Sequence, residues 1–133
     1  KRPDMLVDIA QKTNCQHSFI FNSPNQGCKI YEDIDMYVCT STSESGPGGI
    51  IECAMSKIPI ISTKTGHAKN LKSIKTFTTV DEAVNIINEL NSSPDLLEDY
   101  IENVYNEVIK EYDWATVTSK YWIPLIESVL NKS

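Results

Sequence analysis

No stretch of this chain approaches the about 18 consecutive apolar residues that a membrane helix needs, so no membrane span is expected. No secretory signal is legible either, and the expected compartment is the cytoplasm. Cations are few: Lys+Arg number 12 against 18 Asp+Glu, a net charge of −6. That balance excludes a broad surface for phosphate backbones or anionic lipid, and no nucleic-acid partner is expected. A local constellation for one small anion stays open. The cysteines, Cys15, Cys28, Cys39 and Cys53, form no C-x-x-C pair. His17 and His67 are not spaced as zinc partners, so neither a metal nor another cofactor is expected, and the cysteines read as buried, reduced thiols. No internal repeat or long linker divides the 133 residues, which make one domain with chain enough for a core that needs no staple. The two sequons, at Asn91 and Asn131, read as chance matches. Beginning on Lys1 with no Met, the chain is expected to be processed, trimmed or cut from something larger.

Glycine is scarce, only 5 residues, yet Gly46, Gly48 and Gly49 fall within four positions. The elements around them explain why that matters. Pro3 to Lys12 reads as a helix with Met5, Leu6, Ile9 and Ala10 apolar and Pro3 at its first position. His17 to Phe21 reads as a strand ended by the turn cluster Asn22 to Gly27. A helical turn over Lys29 to Asp33 follows, then a strand over Met36 to Thr40 buried on both faces. After the glycines come a helix from Ile50 to Ser56, a strand from Ile58 to Ser62, a loop from Thr63 to Asn70 and a short strand from Phe77 to Thr79. The rest is helical. Thr79 and Glu82 form a capping box ahead of Val80, Ala83, Val84, Ile87 and Leu90. Ser93-Pro94-Asp95 opens a helix with Leu97, Ile101, Val104 and Val108 on one face. Asp113 caps a last helix carrying Trp114, Val117, Tyr121, Leu125 and Val129, which Pro124 should kink. The tyrosines and tryptophans of this helical part are expected in the core and between helices.

Short buried strands alternating with helices predict an α/β domain with a parallel sheet. Ligands of such sheets bind off the carboxyl ends of the strands. The segment there is Ser43-Glu44-Ser45-Gly46-Pro47-Gly48-Gly49-Ile50-Ile51-Glu52. Its glycines let a ligand approach the backbone, and the helix start offers unpaired N–H groups to an anion. It matches neither G-x-x-x-x-G-K-[ST] nor G-x-G-x-x-G. Glu44 and Glu52 flank it, and carboxylates suit sugar hydroxyls because each oxygen accepts hydrogen bonds. A diphosphate on the helix start with a hydroxyl-bearing ring on either side, a nucleotide-sugar, fits that order.

These residues resemble the donor-binding, C-terminal half of retaining glycosyltransferases of the GT-B fold, the large family 4 group (glycosyl transferases group 1). The match runs through Asp35 to Ser41, Glu44, Gly46-Pro47, Glu52-Cys53-Ala54-Met55, Pro59-Ile60-Ile61, Gly66 and Asp113-Trp114. It departs at Lys57, where the family usually has Gly, and at Asn70, where an acidic residue is common. The resemblance implies a Rossmann-like parallel sheet flanked by helices. It implies hexosyl transfer from a nucleotide-sugar to an acceptor with retention, without a divalent metal. Glu52 would bind ribose hydroxyls, and Glu44, at the catalytic position, the donor sugar. Backbone N–H groups around Gly48 and Gly49, in the loop turned by Gly46, would meet the diphosphate, and Lys1 would be the phosphate-binding lysine. The partner implied is an N-terminal acceptor domain, without which this chain is expected to be inactive, and the resemblance offers a second place for some aromatics of the last helix, the interface with that domain instead of the core.

Two other classes compete. A receiver-like signalling module fits the size and acidity but needs an Asp at the end of a central strand, where this chain has Cys39-Thr40-Ser41. A non-catalytic nucleotide-binding module would keep the pocket alone. His67 could reach a ligand from the loop after the Ile58–Ser62 strand, or be a partly exposed loop histidine.

Overall fold

The computed structural model describes residues 1–19, 31–46 and 48–131. The turn at 22–27, Cys28, Pro47 and the end of the second sequon lie outside them. Helix α1 spans Pro3–Thr13 and buries Met5, Ile9 and Ala10. Strands β1 (Tyr37–Cys39), β2 (Ile60–Thr63) and β3 (Lys75–Phe77) form a parallel sheet in the order β1-β2-β3. Helix α2 (Gly48–Met55) connects the first two strands, and a 3-10 turn, Gly66–Lys69, lies within the segment expected to be a loop. Helices α3 (Val80–Asn91) and α4 (Pro94–Tyr112) follow, capped by Thr79 and Ser93.

The register pairs Val38 with Ile61 and Ser62 with Thr76. All four residues of β2 are buried. Successive side chains of a strand point to opposite faces, so the sheet is covered on both sides at its centre. The helices pack α1 on α3 and α2 on α4, and one cluster joins Met5, Ile50, Cys53, Ile61, Phe77, Leu90 and Val108. A parallel α/β domain is therefore what the chain forms. Tyr100 of α4 is tied into this core: its hydroxyl donates to the Ile60 carbonyl and accepts the Lys75 N–H at 3.1 Å.

Several expectations need correcting. Residues 17–19 carry no strand. Strand β1 is buried on both faces only at Cys39, because Tyr37 and Val38 are half-buried on what is the sheet edge among the described residues. Strand β3 ends at Phe77, not Thr79, for a hydrogen-bonding reason. The Glu82 carboxylate accepts the N–H groups of both Thr78, at 2.6 Å, and Thr79, at 3.2 Å, so neither is available to a ladder. Cys15 is exposed, while Cys39 and Cys53 are buried free thiols. The largest correction concerns the C-terminus. Helix α5 (Trp114–Val117), a π turn (Thr118–Trp122) and helix α6 (Ile123–Leu130) bury no residue. Trp114 is 75% exposed, and Tyr121, Trp122, Leu125 and Val129 are exposed with it, so these side chains are not core. Pro124 falls in the first turn of α6, and the π turn before it takes up the kink: proline cannot bond back to residue 120 and its ring would crowd that carbonyl.

The departure at Lys57 has a backbone cause. Lys57 stands at φ 56°, its N–H bonds to the Ala54 carbonyl at 3.1 Å, and the Ile58 N–H bonds to the Cys53 carbonyl at 2.9 Å. This is a Schellman cap with a lysine where glycine is normal. Asn14 closes α1 in the same way at φ 53°. Lys57 also pairs with Glu102 and lies over the Tyr105 ring, so replacing it removes two contacts as well as the strained backbone. Comparing Lys57→Gly with Lys57→Ala cancels those losses. The glycine variant is expected to be the more stable by about 1 kcal/mol in denaturant unfolding. Equal midpoints would show that this turn carries no strain.

Candidate functional site

The site is built where β1 and β2 end. The Thr63 hydroxyl, at the last position of β2, donates to the Ser41 carbonyl and, at 3.4 Å, to that of Cys39. Two residues on, buried Thr65 accepts the Glu44 N–H at 3.0 Å. The Glu44 carboxylate in turn accepts the Ser41 hydroxyl at 2.7 Å. Backbone and side chain of Glu44 are thus both held, and the residue is half-buried at the entrance to the glycine loop. On the other side of β1, the Thr40 hydroxyl donates to the Arg2 carbonyl at 2.8 Å. The start of α1 is thereby fixed at the same carboxyl edge. Lys1, one residue away, is exposed.

Glycines 48 and 49 are the first residues of α2. Glu52 follows Gly48 by four positions, one helical turn, so its side chain lies back over the helix start. A β-carbon on Gly48 would sit 3.6 Å from Glu52 Oε1. The other carboxylate oxygen accepts the Tyr31 hydroxyl. Burial and then the Glu52 hydrogen bond push the Tyr31 phenol well above its ordinary range, so it stays a donor. Tyr37 joins the two halves of the site. Its hydroxyl would lie 2.8 Å from a β-carbon on Gly49. Burial raises its pKa, and the fields of Glu44 and Glu52 both add to that rise. Both carboxylates thus act on Tyr37, whose hydroxyl stands beside the start of α2.

His67, in the 3-10 turn after β2, forms another flank. Its Nε2 would lie 2.7 Å from a β-carbon on Gly46, a residue at φ 155°. Its Nδ1 lies 3.1 Å from the Tyr112 hydroxyl at the end of α4, with the rings edge to face. Burial lowers the imidazole pKa, which favours the neutral ring.

A recess of about 340 Å3 opens between Tyr31, Glu32, Ser56 and Ile58, on the Tyr31 side of Glu52. A second, of about 300 Å3, lies among Lys75, Leu90, Leu96, Asp99, Tyr100 and Asn103. Neither takes in the glycine loop. Among the described residues, no group of three or more His, Cys, Asp or Glu could hold a metal ion, and no helix is long and apolar enough to cross a membrane.

The structure thus gathers Glu44, Gly46, Gly48, Gly49 and Glu52 at one edge and fixes the backbone next to Lys1 there. Sequence reasoning missed Thr65, Tyr31, Tyr37 and Tyr112 as parts of the site. Strand periodicity puts Tyr37 and Cys39 on one face of β1, but only the docking of α2 brings that face against Gly49. Compared with known proteins, the chain matches no family model, no curated protein and no solved structure.

Proposed function

We propose that this chain is the nucleotide-sugar-binding half of a retaining glycosyltransferase. The observation that carries the reading is the placement of Glu44 at the loop entrance and of Glu52 over a helix start opened by Gly48 and Gly49, at the carboxyl edge of a parallel sheet. Sugar and ribose hydroxyls need acceptors, and the diphosphate between them needs N–H donors that no side chain covers. The sequential order β1-β2-β3 supports the reading too, because one half of a doubly wound sheet runs in chain order. In this reading Lys1 supplies positive charge beside the phosphates, which offsets the two carboxylates and the charge of the leaving group. The acceptor is positioned by a domain outside this chain, so the chain by itself transfers nothing.

A receiver-like module fits less well, since β1 leads into Thr40 and Ser41 with no carboxylate to phosphorylate. A non-catalytic nucleotide-binding module would use the same groups and differs only in lacking transfer by the parent protein.

The test is calorimetric titration with UDP, GDP and ADP and with their sugar conjugates. Glu52→Ala is expected to weaken nucleoside diphosphate and nucleotide-sugar alike, by about tenfold or more for one lost charged hydrogen bond. Glu44→Ala is expected to spare the diphosphate and to remove only the added affinity of the sugar. Equal losses for both ligands in Glu44→Ala, or no loss in Glu52→Ala, would reverse the roles. Binding of none of these ligands by the wild type would end the reading.

A further inference from the structure

We propose that His67 is a ligand-contacting residue of the glycine loop, offering its Nε2–H to a phosphate oxygen bound there while Tyr112 holds the ring. This rests on the reading of the loop as a diphosphate site and adds to it a side-chain donor that the family resemblance does not assign.

The Tyr112 contact points to the nitrogen that carries the proton. The Tyr112 hydroxyl lies 3.1 Å from His67 Nδ1. Burial raises the Tyr112 pKa, so the phenol keeps its proton and can donate it to Nδ1. A neutral ring that accepts at Nδ1 carries its own proton on Nε2. Nε2 is the atom that faces Gly46. Among the described residues it has no hydrogen-bond partner, and His67 is only half-buried, so a ligand can reach it. The loop itself is shaped to this ring. Any side chain at position 46 would collide with it, and φ 155° at that position is open to glycine.

A neutral donor suits this place. The loop already lies between two carboxylates, and an imidazole N–H can bind a phosphate oxygen without needing a counter-ion of its own. His67 is a binding residue in this account, and Tyr112 is a positioning residue that acts through it.

The experiment has two parts. In the free protein, long-range proton–nitrogen correlation spectra of 15N-histidine-labelled chain, assigned by comparison with His67→Gln, are expected to show the Nε2–H tautomer for His67. Tyr112→Phe is expected to move the ring toward a mixture of tautomers. A Nδ1–H tautomer in the wild type overturns the inference and leaves the wider reading of the site intact. The second part is titration of UDP, GDP and ADP into the wild type, His67→Gln, His67→Asn and His67→Ala. The glutamine amide reaches the place of Nε2, whereas the asparagine amide reaches only that of Nδ1. His67→Ala and His67→Asn are therefore expected to lose about tenfold in affinity, and His67→Gln to stay within about threefold of wild type. Unchanged affinity in His67→Ala, or equal losses in all three variants, overturns the inference. If the wild type binds none of the three diphosphates, the reading of the loop fails and this role of His67 fails with it.

Discussion

Gly46→Ala is expected to lower the free energy of unfolding by roughly 2–4 kcal/mol, the sum of a glycine-only backbone conformation and an overpacked contact. Position 46 combines φ 155° with a β-carbon site 2.7 Å from His67 Nε2. Gly48→Ala, two residues on, is expected to be neutral or to raise stability by up to about 1 kcal/mol, since alanine is the better helix former. Its new methyl group would meet only Glu52, at the ordinary contact distance of 3.6 Å. Gly49→Ala falls between, because Tyr37 must swing away from a β-carbon that would lie 2.8 Å from its hydroxyl. The double variant Gly46→Ala/His67→Ala separates the two costs at position 46. Deleting the ring is expected to restore the packing part and leave the backbone part. Denaturant melts of these variants decide the matter. Equal stabilities for Gly46→Ala and Gly48→Ala would mean that the loop adapts freely and that its glycines are interchangeable.

Alkali is expected to unfold this protein through two buried acids. Burial and the nearby Glu52 charge push the Cys53 thiol from 9.0 up to about 12. Burial pushes the Tyr100 phenol from 10.0 up to about 12 against the opposing bond from the Lys75 N–H. Both groups are neutral in the folded chain and ionise earlier when it unfolds. Their contribution to stability is therefore complete below pH 9 for the thiol and below pH 10 for the phenol. It is lost as pH rises from those values toward 12. By pH 11 the two together are expected to have removed roughly 4 kcal/mol, which is a large share of the stability of a domain this size. Unfolding midpoints measured at successive pH values from 8 to 11 give the slope. Cys53→Ala lowers stability at every pH through its cavity, but it is expected to remove roughly 2–3 kcal/mol of the loss between pH 9 and 11. An unchanged slope in that variant would place the sensitivity elsewhere.

Much of the fold was legible because the deciding signals are local. The Thr79–Glu82 box, Ser93 and Asp113 mark helix starts through backbone donors that their side chains satisfy, and Pro3 marks one because it has no N–H to satisfy. The strands were found by their apolar runs, but their ends were misplaced where a side chain competes for the ladder, as Glu82 does at Thr78 and Thr79. The last helix shows the limit more sharply. Periodicity identifies the face that Trp114, Tyr121 and Leu125 share, but it carries no information about what covers that face, and among the described residues nothing does. The site divides in the same way. Glu44, the three glycines and Glu52 stand together in the sequence and could be read as a unit. Tyr31, Tyr37, His67 and Tyr112 reach it only through packing, across separations such as the 45 residues between His67 and Tyr112.

The Thr63 hydroxyl bond to the Ser41 carbonyl, with the Glu44 N–H bonded to Thr65, ties the segment after β1 to the segment after β2. Two loops that would otherwise hinge independently are braced against each other like the sides of a frame. Flexing one drags the other. The Glu44 amide, although it lies in a loop, should then exchange its hydrogen with solvent on the timescale of the sheet rather than of a loop tip. The entropy of fixing the loop entrance is met while the chain folds. A ligand arriving there finds that ground already still, and only the exposed Glu52 side and the imidazole flank are left to adjust around it.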